Sequence, residues 1–211
     1  MDYDELAAAT ARAYDAQAAD REQAGEPDWR NDIRADFVSR LPDGARVLEI
    51  GAGVGYTARW FLDQGIDIIA TDLAPSNVEL CRAKGVPAEV RNMTDLGFSR
   101  GSFDGVWAAS CLMHIPTAAL GTVFAEVIRV LRSGGLFWAG TWGGPTSEEV
   151  WDEDWYEPKR FNAIRDDDLM RDLYGASFEL LAFDSFRPMP DSDWHYQSAL
   201  LLSHPPPAPP N

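Results

Sequence analysis

RVLEIGAGVGYTARWF, running from Arg46 to Phe61, decides the fold. Val47, Leu48 and Ile50 make a short apolar strand, alternating glycines follow at Gly51, Gly53 and Gly55, and a helical pattern starts at once. Glycine permits a positive φ in a tight turn and removes the Cβ that would keep a ligand off the backbone. The turn opens a helix N-terminus, whose free N–H groups point at a polar or anionic group. Strand, glycine turn and helix in this order make a nucleotide-type cofactor site at the carboxyl edge of a parallel sheet. The other reading of the stretch alone is a tight strand–helix turn that holds nothing. The spacing is not the dinucleotide pattern G-x-G-x-x-G, because Tyr56 stands where the third glycine would fall.

Downstream, strand and helix alternate. The β-branched run IDIIATD (66–72) predicts a second strand, and a helix follows from Pro75 to Lys84, opened by its proline and closed by Gly85. Further strands are expected at about 87–91, 104–110 and 136–142, with a long helix from Pro116 through Leu131. Alternation at this length means βαβ units and a parallel sheet. Residues 143–165 are polar, aromatic and weakly periodic, and read as a lid or substrate loop with little regular structure. A short helix (166–175) and two strands (178–187 and 195–203) follow, the strands as an antiparallel pair on the sheet edge. Upstream, residues 1 to about 24 and Trp29–Arg40 read as two helices broken at Gly25 and Pro27, so that 1–44 form a helical cap. The expected organisation is one domain over 1–204 and a disordered proline-rich tail over 205–211.

Composition sets bounds. The 211 residues suit one α/β domain, and 45% apolar content supplies its core. A formal net charge of −16 argues against a polyanion held in a basic groove, so no nucleic-acid partner is expected. Cys81 and Cys111 are the two cysteines, too few for a disulfide framework or a metal cluster. The start, MDYDELAAAT, has acids where a secretory signal needs a basic region, and no apolar run approaches the ~20 residues of a membrane span. A cytoplasmic protein, monomer or homodimer, without a metal or a membrane partner, is the expectation.

The pattern E-x-G-x-G-x-G from Glu49 to Gly55 resembles the first motif of the class I S-adenosylmethionine (SAM)-dependent methyltransferases. VRNMTDLGFSRGSFDGVWA (90–108) resembles that family's stretch G-D-A-x-x-L-P-F-x-x-x-S-F-D-x-V, with Leu96, Phe98, Ser102, Phe103, Asp104 and Val106 matching as they stand. The resemblance covers roughly residues 45–140. It implies a three-layer Rossmann-like α/β fold, its sheet mostly parallel with a reversed edge strand, and SAM as cofactor, leaving as S-adenosylhomocysteine. On it, Glu49, Gly51, Ala52, Gly53 and Gly55 lie at the glycine turn. Asp72, with Leu73 beside it, ends the second strand, where an acid accepts hydrogen bonds from both ribose hydroxyls. Its alternative role is an N-cap for the helix near Pro75. Asn92 falls where the family has an adenine-contacting Asp; its side-chain oxygen is an acceptor without charge, and Asp95 is a substitute. Met93 and Thr94 come next along the adenine. Ser110 and Cys111 would turn backbone carbonyls to the cofactor's ammonium. Tyr14, in AYDAQA, matches a segment that folds over the cofactor in relatives.

What the resemblance implies is methyl transfer by in-line displacement to an O or N atom of a small-molecule metabolite. The alternatives are a methyltransferase acting on a protein or peptide, and a non-catalytic SAM-binding module. An acceptor hydroxyl needs its proton removed, and the candidate bases are His114, whose first reading is a brace for its loop, and His195. Asp152, Glu153 and Asp154 would bind a cationic acceptor or form a solvated loop. Trp142, Trp151, Trp155, Tyr156 and Phe161 would wall an apolar or aromatic pocket, or else form a second hydrophobic cluster.

Overall fold

A computed structural model describes residues 2–27, 29–188 and 194–204. Val47, Leu48 and Ile50 are fully buried in strand β1 (Arg46–Ile50), in the interior of a seven-stranded sheet. β2 (Asp67–Asp72) and β4 (Phe103–Ala109) pair with it in parallel, one on each side. β3 (Ala88–Val90) lies outside β2, and β5 (Leu131–Gly143) runs parallel to β4. The sheet ends with β9 (His195–Leu202), antiparallel to β5, and β8 (Glu179–Phe186), antiparallel to β9. The strand order is β3-β2-β1-β4-β5-β9-β8. The reversed strand β9 thus sits one place in from the edge, with β8 outside it.

The chain winds outward from β1 to β3, then returns across β1 to β4. That reversal opens a crevice beyond the carboxyl ends of β1 and β4, where ligands of open α/β sheets bind. Helices cover both faces. Leu48 and Ile50 pack on one side with Val106, Val123, Phe124 and Phe137, and Val47 packs on the other with Phe37, Phe61 and Trp107. Burial on both faces explains why these strands read as continuous apolar runs. Trp107 and Trp138 stack with ring centroids 3.7 Å apart.

The helices are α1 (Tyr3–Ala24), α2 (Arg30–Ser39), α3 (Tyr56–Asp63), α4 (Pro75–Ala83), α5 (Thr117–Val130) and α6 (Asp167–Gly175). β5 starts five residues before the expected strand, because Leu131 pairs with Phe103 ahead of a register shift. The larger departure is in 143–165. There β6 (Ser147–Val150) and β7 (Phe161–Ile164) form a second, two-stranded antiparallel sheet. Glu148 and Glu149 hide β6 from a propensity reading. Buried Arg165, just after β7, ties this hairpin to the turn that follows β4, donating to the carbonyl oxygens of Ile115 and Leu112 and to the Thr117 hydroxyl. The expected tail, 205–211, lies outside the described residues. Among the described residues no helix is long and apolar enough to cross a membrane.

Candidate active site

A cavity of about 440 Å³ lies over the carboxyl ends of the strands, roofed by α1 and walled by residues of the 143–165 segment. Its floor is the glycine turn. Gly51 has φ 66°, and a Cβ there would come within 2.5 Å of the Cys111 Cβ, so the turn packs against the loop after β4. Gly53 (φ 56°) lines the cavity, whereas Gly55 faces Cys81.

The Gly53 N–H donates to Asp72 Oδ2 at 2.8 Å, while Asp72 Oδ1 accepts from the Ala74 N–H (2.9 Å) and Asn77 Nδ2 (3.2 Å). The N-cap of α4 is Ala74; Asp72 braces the turn ahead of it with one oxygen and the glycine turn with the other, and it lines the cavity. Burial pushes its carboxyl up, and these donors and Arg21 pull it back.

Two buried atoms beside the turn have no partner: Glu49 Oε2 and Arg30 Nε. Both residues line the cavity. Burial, with Glu26 and Asp72 adding to it, pushes the Glu49 carboxyl well above its ordinary range against the pull of Arg34 and Arg30. Buried polar groups are normally hydrogen-bonded. An unpaired carboxyl oxygen and an unpaired guanidinium N–H at one cavity suit a ligand that carries an ammonium and a carboxylate together. Ser110, which receives Arg30 Nη2 at 3.2 Å, is the one non-glycine residue with positive φ (58°) among those described. Strain of this kind clusters at functional sites.

At the opposite end Met93, Leu73 and Arg91 line the wall. Asn92 does not. Its Oδ1 already accepts from the Tyr3 hydroxyl (2.6 Å) and the Thr94 N–H (3.1 Å), so it holds its own turn and has no acceptor to spare. Thr94 also lies off the cavity lining, and Asp95 is exposed. Ala52, Ser110 and Cys111 do line it. The Cys111 thiol is pushed up by burial and sits 3.4 Å from the Ile50 carbonyl oxygen, which leaves it an uncharged packing group.

The far side is built from side chains. His114 Nδ1 lies 2.8 Å from the Phe161 carbonyl oxygen. A carbonyl only accepts, so Nδ1 carries the proton and Nε2 holds a lone pair. Tyr14 then donates its hydroxyl to Nε2 at 2.8 Å and accepts from Arg160 Nη1 at 3.0 Å. Arg160 is gripped by Asp154 at 2.9 Å through both Nε and Nη2, and lies 3.4 Å over the Tyr156 ring. Burial pushes the His114 pKa down to about 4; Arg160 and Arg21 act the same way, opposed by the Phe161 bond and Asp154.

His195 is not part of this group. It opens β9, bonded to Asp167 Oδ1 at 2.6 Å, off the cavity lining. The five expected aromatics divide. Trp142 and Trp151 line the cavity, Tyr156 is buried behind Tyr14, Phe161 packs on Leu6, and Trp155 is 66% exposed. Asp152 and Glu153 are exposed, while Asp154 is buried on Arg160. Arg21, Arg30, Arg160 and Trp194, absent from the sequence-based set, also line the cavity. None lies in a motif, and only tertiary folding brings them together. Among the described residues no three His, Cys, Asp or Glu side chains are grouped to hold a metal ion.

Residues 48–139 match the family described as methyltransferase domain. Over 120 residues the chain is 32% identical to the ubiquinone biosynthesis O-methyltransferase of Xanthomonas oryzae pv. oryzae, covering 53% of this chain and 49% of that one. Over 128 residues it is 30% identical to the 2-methyl-6-phytyl-1,4-hydroquinone methyltransferase of Synechocystis sp., covering 57% and 39%. The chain thus spans about half the length, or less, of these curated relatives. A solved structure, the 1,6-didemethyltoxoflavin-N1-methyltransferase of Burkholderia thailandensis with 1,6-didemethyltoxoflavin and S-adenosylhomocysteine, has a TM-score of 0.80 at 23% identity, covering 97% of this chain and 92% of that one. At that identity the likeness is one of fold.

Proposed function

We propose that this chain, a member of the class I SAM-dependent methyltransferase family, transfers a methyl group to an O or N atom of a small-molecule acceptor. The observation that carries the proposal is that Glu49 Oε2 and Arg30 Nε lack partners, on residues that line one cavity with Asp72. An ammonium, a carboxylate and a ribose diol occur together in SAM. SAM supplies a methyl group activated on a sulfonium sulfur.

The protein's part is binding, orientation and exclusion of water. Asp72 Oδ2 accepts from the ribose hydroxyls. Arg30 Nε meets the methionyl carboxylate, and Glu49 with the carbonyls of Ser110 and Cys111 receives the ammonium. Gly51, Ala52 and Gly53 supply a backbone floor, while Leu73 and Met93 lie along the adenine. Gly55, Asn92 and Thr94 shape these turns without touching the ligand. α1 and the β6–β7 hairpin roof the site, and holding the acceptor lone pair in line with the transferred methyl can lower the barrier substantially.

Tyr14 belongs to the acceptor side. His114, held neutral with its lone pair on Tyr14, is a positioning residue and a poor proton sink at neutral pH. His195 has no part in the reaction. The three relatives named above are methyltransferases whose names point to small molecules, and a concave cavity suits such an acceptor better than a protein or peptide. The same proposal treats residues 1–204 as one working unit, with 1–44 as its cap and 143–165 as its lid. It acts in the cytoplasm as a monomer or homodimer, without metal, nucleic acid or membrane.

The test is transfer of labelled methyl from SAM into an extract of the source cell, separated by a size filter. Label in the small fraction is expected. Label in the large fraction would move the acceptor to proteins, and SAM binding with no label in either fraction would favour a binding module.

A further inference from the structure

Arg21 and Arg160 converge on one pair of tyrosines. Arg21 donates Nη1 to the Tyr156 hydroxyl at 3.1 Å, while Arg160 lies 3.4 Å over the Tyr156 ring. Their guanidinium carbons also lie 5.1 and 5.4 Å from the centroid of the Tyr14 ring. Both residues line the cavity.

The nearby carboxylates balance Arg160 and leave Arg21 without a carboxylate partner. Asp154 is taken up by Arg160 through Nε, Nη2 and the backbone N–H. Glu26 is shared by Arg30 at 3.0 Å and Arg34 at 2.5 Å. Asp72 already holds three donors at the cofactor end. Among the described residues, Arg21 has no carboxylate within ion-pair distance, and its Nε is buried with no hydrogen-bond partner. A partly buried cation left in this way is costly unless an anion completes it. Trp151 and Trp194, with ring centroids 4.6 Å apart and planes tilted by 35°, line the same cavity.

We infer that the methyl acceptor is a planar ring compound bearing an anionic oxygen, a carboxylate or an ionised phenol. Its charge sits between Arg21 and Arg160, and its ring lies against Trp151 and Trp194. The inference rests on the methyltransferase reading and narrows its substrate class. It also agrees with the state of His114, since an acceptor that arrives ionised asks for no strong base.

The experiment uses the full chain saturated with S-adenosylhomocysteine, whose own binding is first measured by calorimetry. Shape-matched probes are then titrated by ligand-observed NMR: 2-naphthoate against 2-naphthamide, and 4-nitrophenolate against 4-nitroanisole. At least one anion is expected to bind about tenfold tighter than its neutral partner, in keeping with charge-assisted hydrogen bonds. Preference for the first pair identifies a carboxylate, for the second a phenolate. Arg21→Gln, which spares the Asp154–Arg160 pair and is titrated at saturating S-adenosylhomocysteine as judged by its own calorimetry, should reduce the preference to about twofold or less. Neutral probes binding as well as the anions, neither anion binding, or a preference unchanged in Arg21→Gln would each overturn the inference. If S-adenosylhomocysteine itself fails to bind the wild-type chain, the broader reading falls first, and this one with it.

Discussion

The two ends of the cavity are made in different ways. At the cofactor end, backbone meets backbone or a single carboxylate within one βαβ unit: the Gly53 N–H reaches Asp72 over 19 residues. At the acceptor end, side chains meet across most of the chain. Tyr14 and His114 are 100 residues apart, Arg21 and Tyr156 are 135 apart, and Tyr14 and Arg160 are 146 apart. Backbone geometry tolerates almost no substitution at its special positions, whereas a side-chain wall can be rebuilt residue by residue. The first end suits a ligand that stays constant and the second a ligand that varies.

This contrast can be broken most sharply at Gly51. Gly51→Val places a β-branched residue at φ 66° with its Cβ 2.5 Å from the Cys111 Cβ. Strain and overpacking should together cost about 3 kcal/mol or more and abolish S-adenosylhomocysteine binding. A denaturation midpoint equal to wild type would show that the turn is not rigidly determined.

At the acceptor end, acid is the probe. The folded-state pKa of His114, about 4, lies below its ordinary 6.5. Between those values the unfolded chain binds more protons than the folded one, so this stability is complete above about pH 6.5 and is lost as pH falls toward 4. The full effect is roughly 3 kcal/mol. Denaturation curves of His114→Gln and wild type should therefore converge by that amount over this window. Curves that stay parallel would mean that His114 is not held neutral.

Asp72→Asn removes the charge while keeping the shape. Affinity for S-adenosylhomocysteine should drop by about 1.5–3 kcal/mol, as expected for hydrogen bonds to a charged group. Unaltered affinity would leave Asp72 as a brace between two turns alone. Tyr14→Phe is the matching change across the cavity. Loss of its two hydrogen bonds should lower stability by about 1–3 kcal/mol. Methyl transfer should fall while S-adenosylhomocysteine affinity stays within about twofold, and a large fall in that affinity would return Tyr14 to the cofactor. Smallest of all, Trp155→Ser should change stability by about 0.5 kcal/mol or less, because that ring is 66% exposed.

Much of the fold was legible because local rules dominate where both faces of a strand are buried. The apolar runs at 46–50, 66–72 and 104–110 became β1, β2 and β4 within a residue at each end. The β6–β7 hairpin was not legible, since its strands are short, one is polar, and Arg165 anchors it to a turn about 50 residues earlier. Asn92 shows the limit within a motif. Its position follows from the stretch 90–108, but only the fold brings the Tyr3 hydroxyl, 89 residues away, onto its oxygen.

The sequence by itself determined the parallel sheet, the crevice at its carboxyl edge and a glycine turn followed by an acid at Asp72. Each of these depends on periodicity, steric freedom at glycine and spacing along one unit. Tertiary structure alone decided that Glu49 Oε2 and Arg30 Nε are left without partners, that His114 is neutral and turned to Tyr14, and that Arg21 and Arg160 converge on Tyr156. Those outcomes depend on desolvation and on charges brought close from distant parts of the chain, and neither quantity exists until the chain has folded.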